Sequence, residues 1–73
     1  MTLSEKDQQY LWHAYTQHKT SDTPIAITKG KDALLWDENG NTYIDAIASW
    51  WVNPYGHSNE RLARRAYEQL TSL

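Results

Sequence analysis

Few side chains in this chain have the type and spacing to do chemistry. The candidate bases or metal ligands are His13, His18 and His57. His13 and His18 lie five residues apart, which does not put both on one helical face, and no cysteine is present to complete a zinc site. His57 follows Gly56 ahead of a helical pattern and reads as a turn or packing residue rather than a general base. Asp37 and Glu38 lead into Asn39-Gly40, where an aspartate serves the backbone of a turn. Asp45 falls in a strand pattern with Tyr43 and Ile47 on its own face. Lys6, Lys19, Lys29 and Lys31 lack the apolar neighbours that turn an amine into a nucleophile. The three glycines stand apart from one another and cannot form a phosphate-binding loop.

The aromatic residues carry more information. Ser49-Trp50-Trp51-Val52-Asn53 and Leu11-Trp12-His13-Ala14-Tyr15-Thr16-Gln17 hold three of the four tryptophans. Neither segment reads as a regular helix or strand face. Bulky aromatics with polar neighbours in irregular backbone line pockets or fill interfaces. In extended backbone, Trp50 and Trp51 would point to opposite sides, one to a packed layer and one to a cavity. The alternative is that both pack structurally. Tyr15 divides in the same way, between packing and presenting its hydroxyl.

The elements that must position these residues follow from periodicity. Ser4 with Asp7 three residues on has capping-box spacing, and predicts a helix running to about residues 10–13 with Leu3, Tyr10 and Leu11 as its apolar contacts. From Pro24 the period becomes two. Lys29-Gly30-Lys31-Asp32 reads as a turn, residues 33–37 as a strand, Asn39-Gly40 as a hairpin turn and residues 42–47 as a third strand, with Gly30 and Gly40 supplying positive φ. Asn59 caps a second helix, on which Leu62, Ala63, Ala66, Tyr67 and Leu70 form one stripe. That stripe runs on toward Leu73 without a stop signal, which predicts a piece of a longer chain. The fold class is therefore α+β: an N-terminal helix and loop over 1–23, a three-stranded antiparallel meander over 24–48, an aromatic loop over 49–58 and a C-terminal helix over 59–73.

Size and composition set limits on this reading. A chain of 73 residues is one domain at most, and buries roughly 60% of its unfolded surface. Four Trp and five Tyr are more aromatic surface than such a domain can cover, so the surplus is a binding surface or belongs against a larger body. A net charge of −2, with both signs spread along the chain, leaves no electrostatic footprint for nucleic acid or an anionic membrane. There is neither a membrane-length apolar run nor a secretory leader pattern in residues 1–15. The expected location is cytoplasmic.

Taken together, Trp12-His13-Ala14-Tyr15-Thr16, the segment from Asp37 to Asp45, Ala48-Ser49-Trp50-Trp51 and Gly56-His57-Ser58 resemble one family. It is that of the adenosylmethionine-8-amino-7-oxononanoate aminotransferases (diaminopelargonic acid synthases), class III enzymes of biotin synthesis that use pyridoxal 5'-phosphate. The family pattern runs W-H-P-Y-T, then G…L-x-D-x-x-G-x-x-Y-[IL]-D, then S-S-W-W, then G-H-x-H-P before a helix. The meander alone would mark class III, and the two aromatic motifs narrow it. Ala14 stands where the family has Pro, which should loosen the backbone before Tyr15, and Asn59-Glu60 stands where it has His-Pro.

The resemblance implies that Trp50 contributes to the substrate pocket, that Tyr15 helps orient the amino-oxononanoate acceptor and that Trp51 supports them. It implies the small N-terminal part of a fold-type I, homodimeric aminotransferase. That enzyme moves the amino group of S-adenosylmethionine to 8-amino-7-oxononanoate, giving 7,8-diaminononanoate. It also implies that the Schiff-base lysine, the carboxylate paired with the pyridine nitrogen and the phosphate-binding segment lie downstream. This chain alone is then expected neither to hold the cofactor tightly nor to catalyse. Two other readings stay open: another class III aminotransferase acting on ω-amino acids, and a free-standing tryptophan-rich module that binds peptides.

Overall fold

The computed structural model describes residues 1–73 as helix α1 (Leu3–Tyr10), strands β1 (Ile27–Lys31), β2 (Leu34–Asp37) and β3 (Thr42–Ile44), a single turn α2 (Ala48–Trp51) and helix α3 (Glu60–Ser72). The strands form one antiparallel sheet in the order β1-β2-β3. The α+β meander expected from the periodicity is present, and its boundaries differ in instructive ways. No helix is long and apolar enough to cross a membrane.

Helix α1 starts earlier than the Ser4 cap predicted. Thr2 is the cap: its hydroxyl accepts from the Glu5 amide at 3.2 Å while the Glu5 carboxylate accepts from the Thr2 amide at 2.8 Å. Ser4 sits inside the first turn, with its Oγ 3.1 Å from both the Pro24 carbonyl and Glu38 Oε2. The Glu38 carboxylate also accepts from the amides of Leu3 and Ser4 at 3.1 and 3.4 Å. A carboxylate from the β2–β3 turn thus meets the positive end of α1 and ties the helix to the sheet.

The first hairpin turns at Asp32-Ala33, because Lys31 pairs with Leu34. Asp32 takes the positive φ of 54°, and Gly30 lies within β1 without one, contrary to the sequence reading. The second hairpin follows the Asn-Gly signal, with Gly40 at φ 84°. Asp37 organises this turn. Its Oδ1 accepts from the amides of Asn39 and Asn41, both at 2.9 Å. Its Oδ2 accepts from the Asn41 side-chain amide at 2.9 Å and the Tyr43 hydroxyl at 2.8 Å. Four donors on one carboxylate fix its charged form.

Asp37 is accordingly lowered to about 2, with the Asn41 side-chain amide the largest cause, opposed in part by burial and reinforced by Tyr43 and the two backbone amides. The same contact with Asp37 raises the Tyr43 phenol. Because the folded value lies below the ordinary one, the contribution of Asp37 to stability is complete above about pH 4 and is lost as the pH falls through about 2. Asp37→Asn should remove that part of the acid sensitivity and lower stability at neutral pH, as read from unfolding midpoints of the full-length protein at pH 2 to 7. Parallel wild-type and variant curves across that range would contradict the assignment.

Packing is sparse. Asp37, 7% exposed, is the one buried residue, and no apolar side chain is buried. The stripe of α3 (Leu62, Tyr67, Leu70) is exposed, although Asn59 caps the helix as expected through the Leu62 amide at 3.0 Å. The accessible surface is 6740 Å², about 2,000 Å² more than a compact monomer of this mass presents. The radius of gyration is 15.2 Å, against about 11 Å for a compact chain of this length. The segment holds its hairpins by hydrogen bonds and leaves its apolar faces open.

Candidate functional site

Trp50 and Trp51 lie in a backbone that the alternation argument did not foresee. Ala48, Ser49, Trp50 and Trp51 all have positive φ, at 48°, 49°, 72° and 63°. Segment α2 is one turn of left-handed helix. It is closed by the Trp51 amide on the Ile47 carbonyl at 2.6 Å and the amides of Val52 and Asn53 on Ala48 at 3.0 and 3.1 Å. For L-residues this conformation costs ~1–2 kcal/mol each, so surrounding contacts must impose it. The expectation that extended backbone sends the two indoles to opposite sides is therefore corrected. Trp50 and Trp51 are 71% and 78% exposed, and neither faces a packed layer.

The side-chain hydrogen bonds to the turn converge on Asp45, which lies just past β3 rather than within a strand. Asp45 Oδ1 accepts from the Ser49 amide at 3.0 Å, and Oδ2 accepts from the Ser49 hydroxyl at 3.0 Å. His57 Nε2 donates to the same Oδ2 at 2.6 Å. On the other side of the ring, Nδ1 accepts from the Asn53 side-chain amide at 3.0 Å. An amide N–H can only donate, so the ring is in the Nε2–H form. Asp45 is lowered by the Ser49 amide first and by His57 second. Its side chain is 7% exposed.

His57 is in turn fixed to the first hairpin. Its carbonyl and amide pair with the amide and carbonyl of Asp32 at 3.0 and 2.8 Å, and the Ser58 hydroxyl donates to the Gly30 carbonyl at 2.6 Å. The close approach explains both glycines here. A Cβ on Gly30 would lie 2.9 Å from His57 Cβ, and one on Gly56, at φ 83°, would lie 3.0 Å from Asp32 Cα. Gly30 is needed for proximity, not for its φ. Gly30→Ala should cost about 1–3 kcal/mol by forcing the loop away from the hairpin. The shift of the urea midpoint of the full-length protein measures it, and a midpoint equal to wild type would contradict the packing described.

The N-terminal aromatic segment is organised separately. Trp12 stacks on His18 with ring centres 4.8 Å apart, and His18 Nε2 accepts from the His13 amide at 2.9 Å. The His13 ring meets Asp7 Oδ2 at 2.7 Å. Tyr15 has φ 54° and is fully exposed. No group of three His, Cys, Asp or Glu side chains converges to hold a metal. The largest apolar groove, about 360 Å³, lies between α1 and residues 24–27; a second, about 250 Å³, is lined by Asp45, Asn53 and His57. Tyr15, Trp50 and Trp51 line no groove within this chain, and the structure does not bring them together around a cavity.

What sequence reasoning missed is the Asp45–His57 contact across twelve residues. The only local signal was the spacing of four between Asp45 and Ser49, which suits a carboxylate closing a turn. The lysines do not form a cofactor site. Lys29 rests 4.8 Å over the Trp36 ring, and Lys6, Lys19 and Lys31 are exposed, so none is enclosed as a Schiff-base lysine must be. Residues of this chain alone do not fit pyridoxal phosphate.

Comparison with known proteins adds the context. The family model described as aminotransferase class-III matches residues 15–73. The adenosylmethionine-8-amino-7-oxononanoate aminotransferase of Staphylococcus aureus is 42% identical over 73 residues, covering 97% of this chain and 16% of that protein. The crystal structure of the enzyme of that name from Methanocaldococcus jannaschii superposes with a TM-score of 0.86 at 34% identity, covering 97% of this chain and 17% of that one. An omega transaminase from Pseudomonas jessenii, solved in complex with PMP, superposes at 0.90 with 36% identity, covering all of this chain and 17% of that one. The chain thus spans about a sixth of the length of the relatives it matches.

Proposed function

The chain belongs to the class III aminotransferases, and from that premise we propose that it forms the N-terminal segment of a longer, fold-type I enzyme that aminates 8-amino-7-oxononanoate at the expense of S-adenosylmethionine. The observation that carries this reading is the 42% identity to the Staphylococcus aureus enzyme, spread over nearly the whole chain. The open packing supports the rest: the accessible surface exceeds that of a compact monomer of this mass by about 2,000 Å², and no apolar side chain is buried, which leaves surface for a larger body to cover. The parent would be a cytoplasmic homodimer carrying pyridoxal 5'-phosphate. That cofactor, bound by residues outside this chain, supplies the electron sink for amino transfer.

Within this reading Trp50 and Tyr15 are walls of the acceptor site, and Trp51 supports Trp50. An indole face suits the long aliphatic chain of an oxononanoate, and a phenol can hydrogen-bond its polar end. Trp50, Trp51 and Tyr15 are exposed, open for a substrate or the rest of the enzyme to meet. They bind and orient; none has a partner suited to moving a proton.

A second reading has a specific observation in its favour. The TM-score of 0.90 to an omega transaminase is as high as any similarity to a biotin-pathway enzyme reported above, so an ω-amino donor is the competing choice. Growth of a biotin-requiring strain that lacks this aminotransferase step separates the two. The full-length gene should restore growth without biotin. Failure to restore it, with active amination of aldehydes from ω-amino donors, would establish the second reading instead. A free-standing peptide-binding module is disfavoured by the absence of any buried apolar side chain.

A further inference from the structure

We propose that Asp45 and His57 are positioning residues that hold the left-handed turn Ala48–Trp51, and with it the Trp50 indole, in the orientation that receives the acceptor; the inference rests on the reading of Trp50 as a pocket wall. Four consecutive residues in the left-handed region do not persist on their own preferences, and none of the four is glycine. The one side chain that grips the turn from outside is Asp45, through both the amide and the hydroxyl of Ser49. Asp45 is itself held by the 2.6 Å contact from His57 Nε2.

His57 has no freedom to follow a moving carboxylate. Its main chain is paired with Asp32, its Nδ1 is taken by Asn53, and its Cβ lies under Gly30. The ring therefore transmits the position of the first hairpin to Ser49, the residue immediately before Trp50. The buried carboxylate and the short contact favour a fixed geometry over a fluctuating one. Loss of the Nε2–H donor would leave Asp45 free to rotate away from Ser49 and let the turn relax. Trp50 and Trp51 would then sample other directions while the sheet stays intact.

The test uses the full-length protein labelled with 5-fluorotryptophan. Fluorine resonances of Trp36, Trp50 and Trp51 are identified by replacing each in turn with Phe. His57→Asn, too short to reach Asp45, should shift or broaden the Trp50 and Trp51 resonances and leave Trp36, in β2, in place. His57→Gln keeps a donor near the Nε2 position and should restore the wild-type resonances. Asp45→Asn, which preserves the packing of His57 under Gly30, should move the same two resonances if His57→Asn does not fold. In steady-state kinetics His57→Asn should raise the acceptor KM about tenfold, with kcat and donor KM within about twofold.

Unmoved Trp50 and Trp51 resonances in both the Asn variants would overturn the proposal. Equal movement of all three tryptophans would also overturn it, since the pair would then act on the general fold. A wild-type protein without aminotransferase activity would remove the functional reading of Trp50, yet the resonances would still decide whether Asp45 and His57 hold the turn.

Discussion

Trp50→Ala in the full-length enzyme is expected to lower kcat/KM for 8-amino-7-oxononanoate by about 70-fold and to leave the KM for S-adenosylmethionine near its wild-type value. The magnitude follows from area. One face of an indole offers ~100 Å² to an aliphatic chain, and at ~25 cal/mol per Å² its loss is worth ~2.5 kcal/mol. The indole is 71% exposed on this segment, so little internal packing is lost with it. The effect should fall on the acceptor alone, because a long apolar chain gains most from an indole face. An unchanged acceptor KM and kcat would remove Trp50 from the pocket. Tyr15→Phe, which keeps the ring and deletes the hydroxyl, should have the smaller effect expected of one hydrogen bond.

The second large effect is a complete loss. Residues 1–73 expressed alone should transfer no amino group and show no visible absorption from bound pyridoxal phosphate. The four lysines are exposed and none is set to hold the cofactor covalently. The same polypeptide should associate as its concentration rises, since Leu62, Tyr67 and Leu70 of α3 and the indoles of Trp12, Trp50 and Trp51 are exposed. Sedimentation and an absorption spectrum read both outcomes. A monomeric polypeptide with a sharp cooperative melt would support a self-sufficient module, and a visible cofactor band would contradict the account of the lysines.

How much of this was legible beforehand depended on whether the determining contact was local. Helix α3 and its Asn59 cap, and the Asn39-Gly40 hairpin with Asp37 bonding the turn amides, are set within a few residues, and the sequence pattern found them. The cap of α1 lies two residues before the one its local pattern indicates. Thr2 with Glu5 and Ser4 with Asp7 share the same spacing, and Ser4 is engaged by Glu38 from 34 residues away. The first turn lies beyond Gly30, at Asp32-Ala33, because Gly30 signals a positive φ by composition but serves to admit His57. The left-handed turn at Ala48–Trp51 could not be read from its own residues, whose preferences oppose it; it exists through Asp45 and a histidine twelve positions later. For the candidate site, the sequence singled out Tyr15, Trp50 and Trp51 but not the pair that aims two of them.

The most direct measurement is the reaction of the full-length gene product with S-adenosylmethionine and 8-amino-7-oxononanoate, followed by mass spectrometry. Formation of 7,8-diaminononanoate, dependent on added or bound pyridoxal phosphate, is the result this account predicts. A product that forms no diaminononanoate under conditions where it aminates other carbonyl compounds would contradict the assignment of donor and acceptor. It would leave only the membership in class III standing.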